Sequence, residues 1–299
     1  MSSSALAPTA VKHFLLAARP ATLSAAIAPV VAASGAAYAV THHLTWAVAA
    51  CALMVSLLVQ IGANYANDYS DFRRGADGAT RVGPARASAG GLIAPRQVLW
   101  ATWISFALAA LAAVYPLTLH PPLALLGVAC ILAAFLYTGG PWPYGYHALG
   151  EVAVFLFFGL AAVAGTFYAE TGAVDGLALE VAAGTGLLTV AILVANNLRD
   201  LAEDSRSGKR TLAVLGGDGA TRRLYLGCLA GAGVACLAAS LAPRGSPYAL
   251  LALVSGVLAW SPVRAVLAGA QGTELIAVLK VTSLLLLAYA LLLAIGLAL

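Results

Sequence analysis

Charged side chains are scarce: Asp, Glu, Lys and Arg make up 9% of the 299 residues, whereas 62% are hydrophobic. A water-soluble globule of this length would need several times that charge to cover its surface, so that class is excluded. Cysteine is sparse too, and Cys51, Cys130, Cys228 and Cys236 each lie inside an apolar run without a neighbouring His cluster. They read as small buried apolar residues, which argues against disulfides and against a structural metal. There is no Gly-rich phosphate loop, no catalytic Ser–His arrangement and no zinc motif. The net charge of +4 is modest and says little about partners, and no nucleic acid is expected among them. The first twenty residues do not look like a cleaved signal peptide, because the first long apolar stretch begins after Pro20 and is long enough to span.

What is abundant is long apolar sequence. A helix needs about 20 apolar residues at about 1.5 Å each to cross the hydrocarbon core. Nine stretches meet or approach this length, near 21–40, 45–66, 97–119, 122–138, 150–170, 176–198, 222–242, 247–263 and 275–298. The eighth is cut short by Pro262 and Arg264. The expected fold is an all-α membrane protein, a bundle of nine transmembrane helices in a lipid bilayer. Basic residues give the orientation. Arg73, Arg74, Arg81, Arg86 and Arg96 follow span two, and Arg199, Arg206, Lys209, Arg210, Arg222 and Arg223 follow span six. With nine spans these fall on one side, against Arg244 opposite, so that side and the N-terminus are expected to be cytoplasmic.

The carboxylates gather on the same side. All but Glu170, Asp175 and Glu180 lie there, which a positive-inside bias does not require. Span two ends in Asn64-Tyr65-Ala66-Asn67-Asp68-Tyr69-Ser70-Asp71, and span six in Asn196-Asn197-Leu198-Arg199-Asp200-Leu201-Ala202-Glu203-Asp204. On continuing helices Asn64, Asp68 and Asp71 share a face, and so do Asn196, Asp200 and Asp204, with Glu203 not excluded. Asp77 lies beyond the Gly75 breaker, in a loop. Both motifs begin Asn-x-x-x-Asp at equivalent span ends, resembling a weak internal repeat around one cavity.

Several carboxylates at one mouth repel one another and any anion, unless bound divalent cations reverse the charge. Carboxylate and amide oxygens suit hard cations, so the pair reads as a Mg²⁺–diphosphate clamp, with Arg81, Arg199, Lys209 and Arg210 as candidates to neutralise phosphate. A single Asp here would more simply be a helix-end charge paired with a nearby Arg. The pair favours function, since ionisable groups near membrane depth usually have one. A third stretch on that side, from Tyr137 through Gly139, Gly140, Trp142, Tyr144, Tyr146 and His147 to Glu151, lacks basic residues and is rich in aromatics, Gly and Pro. It reads either as an interfacial aromatic belt or as a rigid loop lining an aromatic-substrate pocket. His42, His43 and His120 read as interfacial, His147 as a loop residue, and Gly159, Gly184 and Gly186 as sites of close helix packing.

At these residues the chain resembles the UbiA superfamily of intramembrane aromatic prenyltransferases. The resemblance runs through Arg19-Pro20-Ala21-Thr22-Leu23, the segment from Gln60 to Asp71, and Arg81-Val82-Gly83-Pro84. It continues through Tyr137-Thr138-Gly139-Gly140-Pro141, Tyr144-Gly145-Tyr146, Gly150-Glu151, the second acidic motif and Gly208-Lys209-Arg210-Thr211-Leu212-Ala213. The Tyr-Thr-Gly-Gly-Pro and Gly-Lys-Arg-Thr-Leu-Ala segments point to the branch that prenylates 1,4-dihydroxy-2-naphthoate. The resemblance implies one domain over 1–299, a central lipid-open cavity, a bacterial plasma-membrane location and a cytoplasmic active site. It implies Mg²⁺-dependent transfer of a polyprenyl chain from its diphosphate, with loss of CO₂, giving demethylmenaquinol. Asp68, Asp71, Asp200 and Asp204 would hold the metal, with Asp77, Asn64, Asn67 and Asn196 beside them. Lys209 would meet the diphosphate, and Arg19, Gln60, Tyr137, Tyr144 and Tyr146 the aromatic acid. Asp71 and Asp77 are six apart where the superfamily often has Asp-x-x-x-Asp, a wider spacing that the naphthoate branch shows. Prenyl transfer to 4-hydroxybenzoate or homogentisate, and a cation-coupled transporter, remain as alternatives.

Overall fold

Backbone amides in a hydrocarbon environment must be satisfied within the chain, and an apolar run does so by becoming helical. In the computed structural model, which describes residues 6–75 and 87–299, no strand forms among the described residues. The helices are α1 Leu6–Ala17, α2 Ser24–Thr41, α3 Trp46–Arg73, α4 Pro95–Ala112, α5 Val114–Leu119 and α6 Leu123–Leu136. There follow α7 Gly150–Thr171, α8 Gly176–Arg206, α9 Leu212–Leu241, α10 Pro247–Leu267 and α11 Glu274–Ala298.

Seven of these, α2, α3 and α7 to α11, are long and apolar enough to cross a membrane. The count differs from the expected nine at the third and fourth stretches. The third breaks into α4 and α5 just before Pro116, which lacks the N–H to continue the ladder. The fourth, α6, has 14 residues, or about 21 Å at 1.5 Å per residue, short of the core thickness. The eighth stretch runs further than expected. A tight 3₁₀ segment, Pro247–Ala259, passes into an α-helix at Trp260, and Pro262 falls in that helix's first turn, where proline is tolerated.

The core lies among α2, α8, α9 and α11. The α2 face of Ala28, Ala32, Ala33, Ala36 and Ala37 is fully buried there. Small residues permit the close approach: a Cβ added at Gly35 would lie 2.4 Å from the Ala294 Cα. Gly159 and Gly186 meet in the same way between α7 and α8, as their reading as packing sites expected. At one end of the bundle, Glu170 and Asp175 do structural work. Glu170 accepts from the backbone N–H of Thr45 at 3.0 Å, and Asp175 caps α8 through Ala178 at 3.0 Å. The acidic motifs lie at the other end.

Before α2, the amphipathic α1 was not expected as a helix. It packs Phe14 edge-on against Tyr65 of α3, ring centroids 6.1 Å apart, and leaves Val11, Leu15 and Leu16 exposed.

Candidate active site

The helix α3 continues unbroken through its polar end and stops at Arg74, with Gly75 in the left-handed conformation that ends helices (φ 64°). Asn64, Asn67 and Asp71 therefore project from one helix into an internal cavity of about 510 Å³, and Asn196, Asn197, Asp200, Glu203 and Asp204 of α8 face the same space. Two short loops complete this mouth. The backbone N–H of Arg210 donates to the Tyr146 carbonyl at 2.9 Å, pairing the two loops as a single parallel bridge. That pairing brings Tyr146 and Lys209 onto the cavity wall together.

Lys209 then joins the two motifs. Its Nζ is 3.5 Å from Asp71 Oδ2 and 3.7 Å from Asp204 Oδ1. The Tyr146 hydroxyl donates to Asp71 Oδ1 at 2.5 Å, and its ring lies under the ammonium, 4.8 Å from centroid to nitrogen. Asp71 is 1% exposed, so this charge cluster is desolvated and its electrostatics are stronger than at a surface.

Arg199 takes a different position from a phosphate-facing one. It forms two bonds to Asp200, at 2.7 and 2.6 Å, and one to Asn196 Oδ1 at 2.8 Å, clamping two cavity-lining groups. It is itself absent from the cavity wall, as is the exposed side chain of Arg210. Asp68 is absent from the wall as well. Its two carboxylate oxygens accept the backbone N–H groups of Ala87 (2.8 Å) and Ser88 (2.9 Å), tying down the segment that leads into α4. Asp77 and Arg81 lie outside the described residues.

The aromatic-acid set comes to the cavity from two regions of the chain. Arg19, Thr22, Gln60 and Asn64 form one wall. Asn64 Nδ2 donates to the Ala18 carbonyl at 2.8 Å, which fixes the turn where Arg19 adopts a left-handed backbone (φ 53°). Tyr137 and Tyr144 stand edge-on, centroids 5.4 Å apart, and both line the cavity with Tyr146. The Tyr144 hydroxyl donates to the Ala133 carbonyl at 2.7 Å, and burial, with Cys130 nearby, pushes its ionisation above the usual phenol range. Trp142, by contrast, is 56% exposed and stacks on His147, as an interfacial belt residue would.

Three residues that the sequence reading named without a site role take part here. Thr138 donates to Asn67 Oδ1 at 2.8 Å, and Arg74 bonds the carbonyls of Thr138 and Gly140, so together they hold the aromatic loop to the end of α3. Glu151 is buried and accepts from Asn197 Nδ2 at 2.9 Å, behind the α8 wall. Only the charge of Arg74 and Glu151 near the mouth could have signalled them.

Among the described residues no three His, Cys, Asp or Glu side chains stand together as a ready metal cage. The donors of the two acidic motifs on the wall are nonetheless oxygens: the carboxylates of Asp71, Asp200 and Asp204 with the amides of Asn67 and Asn196. Such a set fits a hard cation that takes one or two protein carboxylates and completes its shell with phosphate and water.

Comparison with known proteins now decides the lineage. Residues 26–284 match the UbiA prenyltransferase family. The chain belongs to that family. It is 49% identical over 275 residues to the 1,4-dihydroxy-2-naphthoate octaprenyltransferase of Mycobacterium tuberculosis, covering 92% of each chain. It is 44% identical over 268 residues to the enzyme of the same name from Mycobacterium leprae, covering 89% of this chain and 90% of that one. In fold it is similar to a UbiA homolog from Aeropyrum pernix, with a TM-score of 0.70 at 14% identity over 90% of this chain and 94% of that one. A UbiA homolog from Archaeoglobus fulgidus bound to GPP and Mg²⁺ gives a TM-score of 0.65 at 15% identity, covering 93% and 98%. Membership of this family, with seven helices able to span, makes the chain a multi-pass membrane protein.

Proposed function

We propose that the protein transfers a polyprenyl chain from its diphosphate to 1,4-dihydroxy-2-naphthoate, releasing diphosphate and CO₂ and giving demethylmenaquinol. The observation that carries this reading is the junction of Asp71, Lys209 and Asp204 at one end of an apolar cavity. Identity of 49% to a naphthoate octaprenyltransferase supports the choice of acceptor.

Asp71, Asp204 and Asp200, with Asn67 and Asn196, would hold Mg²⁺ against the diphosphate. Bound there, the metal supplies the positive charge that makes diphosphate a good leaving group. The protein's own groups do the rest. Lys209 stabilises the charge that gathers on the departing oxygen as the allylic C–O bond breaks. The electron-rich ring carbon donates its pair to the allylic carbon, and the ring carboxyl leaves as CO₂. Arg19, on the wall with Gln60, orients the acceptor's carboxylate, and the Tyr137, Tyr144 and Tyr146 rings shield the positive carbon from water. Arg199 acts through Asp200 and Asn196 as a positioning residue. Arg210 stands at the mouth's rim, and Asp68 acts by holding the approach to α4. Asp77 would join the metal-holding set and Arg81 the diphosphate-binding one. The whole chain forms one domain, with α4–α5 and α6 completing nine crossings and the mouth and N-terminus on the cytoplasmic side of a bacterial plasma membrane.

The test is transfer from labelled farnesyl diphosphate in membranes. A decarboxylated, prenylated naphthoate product that disappears with EDTA is expected. Prenylation of 4-hydroxybenzoate instead would move the enzyme to another acceptor. Movement of substrate without diphosphate release would replace the reading with transport.

A further inference from the structure

The cavity does not stop at the polar mouth. On α3 its wall runs from Ala52 to Asp71, and on α7 from Ala153 to Ala169. At about 1.5 Å per residue these are lengths of roughly 28 and 24 Å, nearly the thickness of the hydrocarbon core. The far end is bounded by Pro116, Leu117 and Leu123, at the opposite ends of α5 and α6 from the acidic motifs. In α7 the wall includes a wide π turn, Phe155–Ala161, which carries Phe157 and Phe158 on the channel side. The interior is thus an apolar channel with one charged end, running along the helices.

Gly127 of α6 lies on this wall, and a Cβ built there meets nothing within 4 Å. The missing side chain therefore leaves open channel and is not a packing necessity. Gly127 is ten residues before Tyr137, or about 15 Å from the mouth along α6. An isoprene repeat adds four chain carbons, roughly 4–5 Å at ordinary bond lengths. A tail running along the channel would pass Gly127 with its third or fourth isoprene unit, and about five units would fill the channel.

We propose that the donor's prenyl tail is threaded through this channel between α3, α6 and α7, and that Gly127 is a chain-length-determining residue. The inference rests on the prenyl-transfer reading above and deepens it. A side chain at Gly127 obstructs donors longer than about three units and leaves a two-unit donor clear of it. The alternative route, in which the tail leaves the mouth directly into lipid, makes Gly127 irrelevant to length.

The experiment compares kcat/KM for geranylgeranyl and geranyl diphosphate within each protein, so that differences in folded fraction cancel. In Gly127→Phe the geranylgeranyl-to-geranyl ratio should fall about tenfold or more against wild type. Leu125→Phe, on the outer face of the same helix where Leu125 is 80% exposed, should leave the ratio unchanged. A Gly127→Phe ratio within twofold of wild type, or an equal fall in Leu125→Phe, would overturn the channel assignment. Absence of transfer from either donor in the wild-type protein would instead sink the underlying functional reading.

Discussion

The two acidic motifs look alike in sequence and make different contacts. Both start Asn-x-x-x-Asp at the end of a helix, and both Asn64 and Asn196 reach the cavity wall. At the corresponding aspartates the two part. Asp200 stays on the wall, gripped from behind by Arg199, whereas Asp68 turns away and receives two backbone N–H groups from Ala87 and Ser88. The first motif instead presents Asp71, three residues on, to Lys209. A repeated pattern thus marks equivalent positions in the fold without assigning equivalent chemistry. What differs is the partner that the surrounding chain supplies to each aspartate.

The contrast can be broken most strongly at Asp204. Asp204→Asn removes the α8 half of the charge junction, and transfer should fall on the order of 10²–10³-fold while the protein still folds. A fall of less than tenfold would mean that α8 does not share the work. Arg199→Ala should unfold more easily, because it strands a buried carboxylate at a cost of about 3–5 kcal/mol. A lower unfolding temperature in detergent, accompanied by lost transfer, is the expected outcome.

Asp68→Ala sharpens the comparison from the other side. Each lost bond to a charged group is worth about 1.5–3 kcal/mol, so amide exchange at Ala87 and Ser88 should accelerate. Excess Mg²⁺ should not restore its transfer rate. Restoration by Mg²⁺ would return Asp68 to the metal and erase the difference between the motifs. The smallest effect is expected at Tyr146→Phe, which keeps the ring beneath Lys209 and loses the bond to Asp71. A roughly tenfold drop in kcat/KM, about 1.4 kcal/mol, should appear in a transfer assay.

The helices were legible in the sequence because hydrophobicity is a local property of each run. Their interruptions were less so. The break before Pro116 has a local cause in that proline, whereas the π turn at Phe155–Ala161 and the 3₁₀ course of Pro247–Ala259 carry no such mark in the sequence. The site shows the same division. That Asp71, Asp204 and Lys209 belong to one end of the bundle followed from charge and spacing. Their meeting depends on the backbone pairing of His147 with Arg210, which no side-chain pattern announces. The contacts of Asp68 were not legible for a related reason, since its partners are main-chain amides about twenty residues away, in a segment of ordinary composition. The bonds of Arg199 to its sequence neighbour Asp200 and to Asn196 were likewise not announced by the motif, which places the three on one helix without saying how they pair.

A double-mutant cycle on Asp71→Asn and Asp204→Asn tests most directly whether the two motifs form one site. Groups that act as a unit lose nearly everything with the first substitution. The double variant should therefore transfer prenyl groups at about the rate of the worse single variant. Losses that multiply, each substitution exerting its full effect in the other's presence, would show two independent sites and contradict the account.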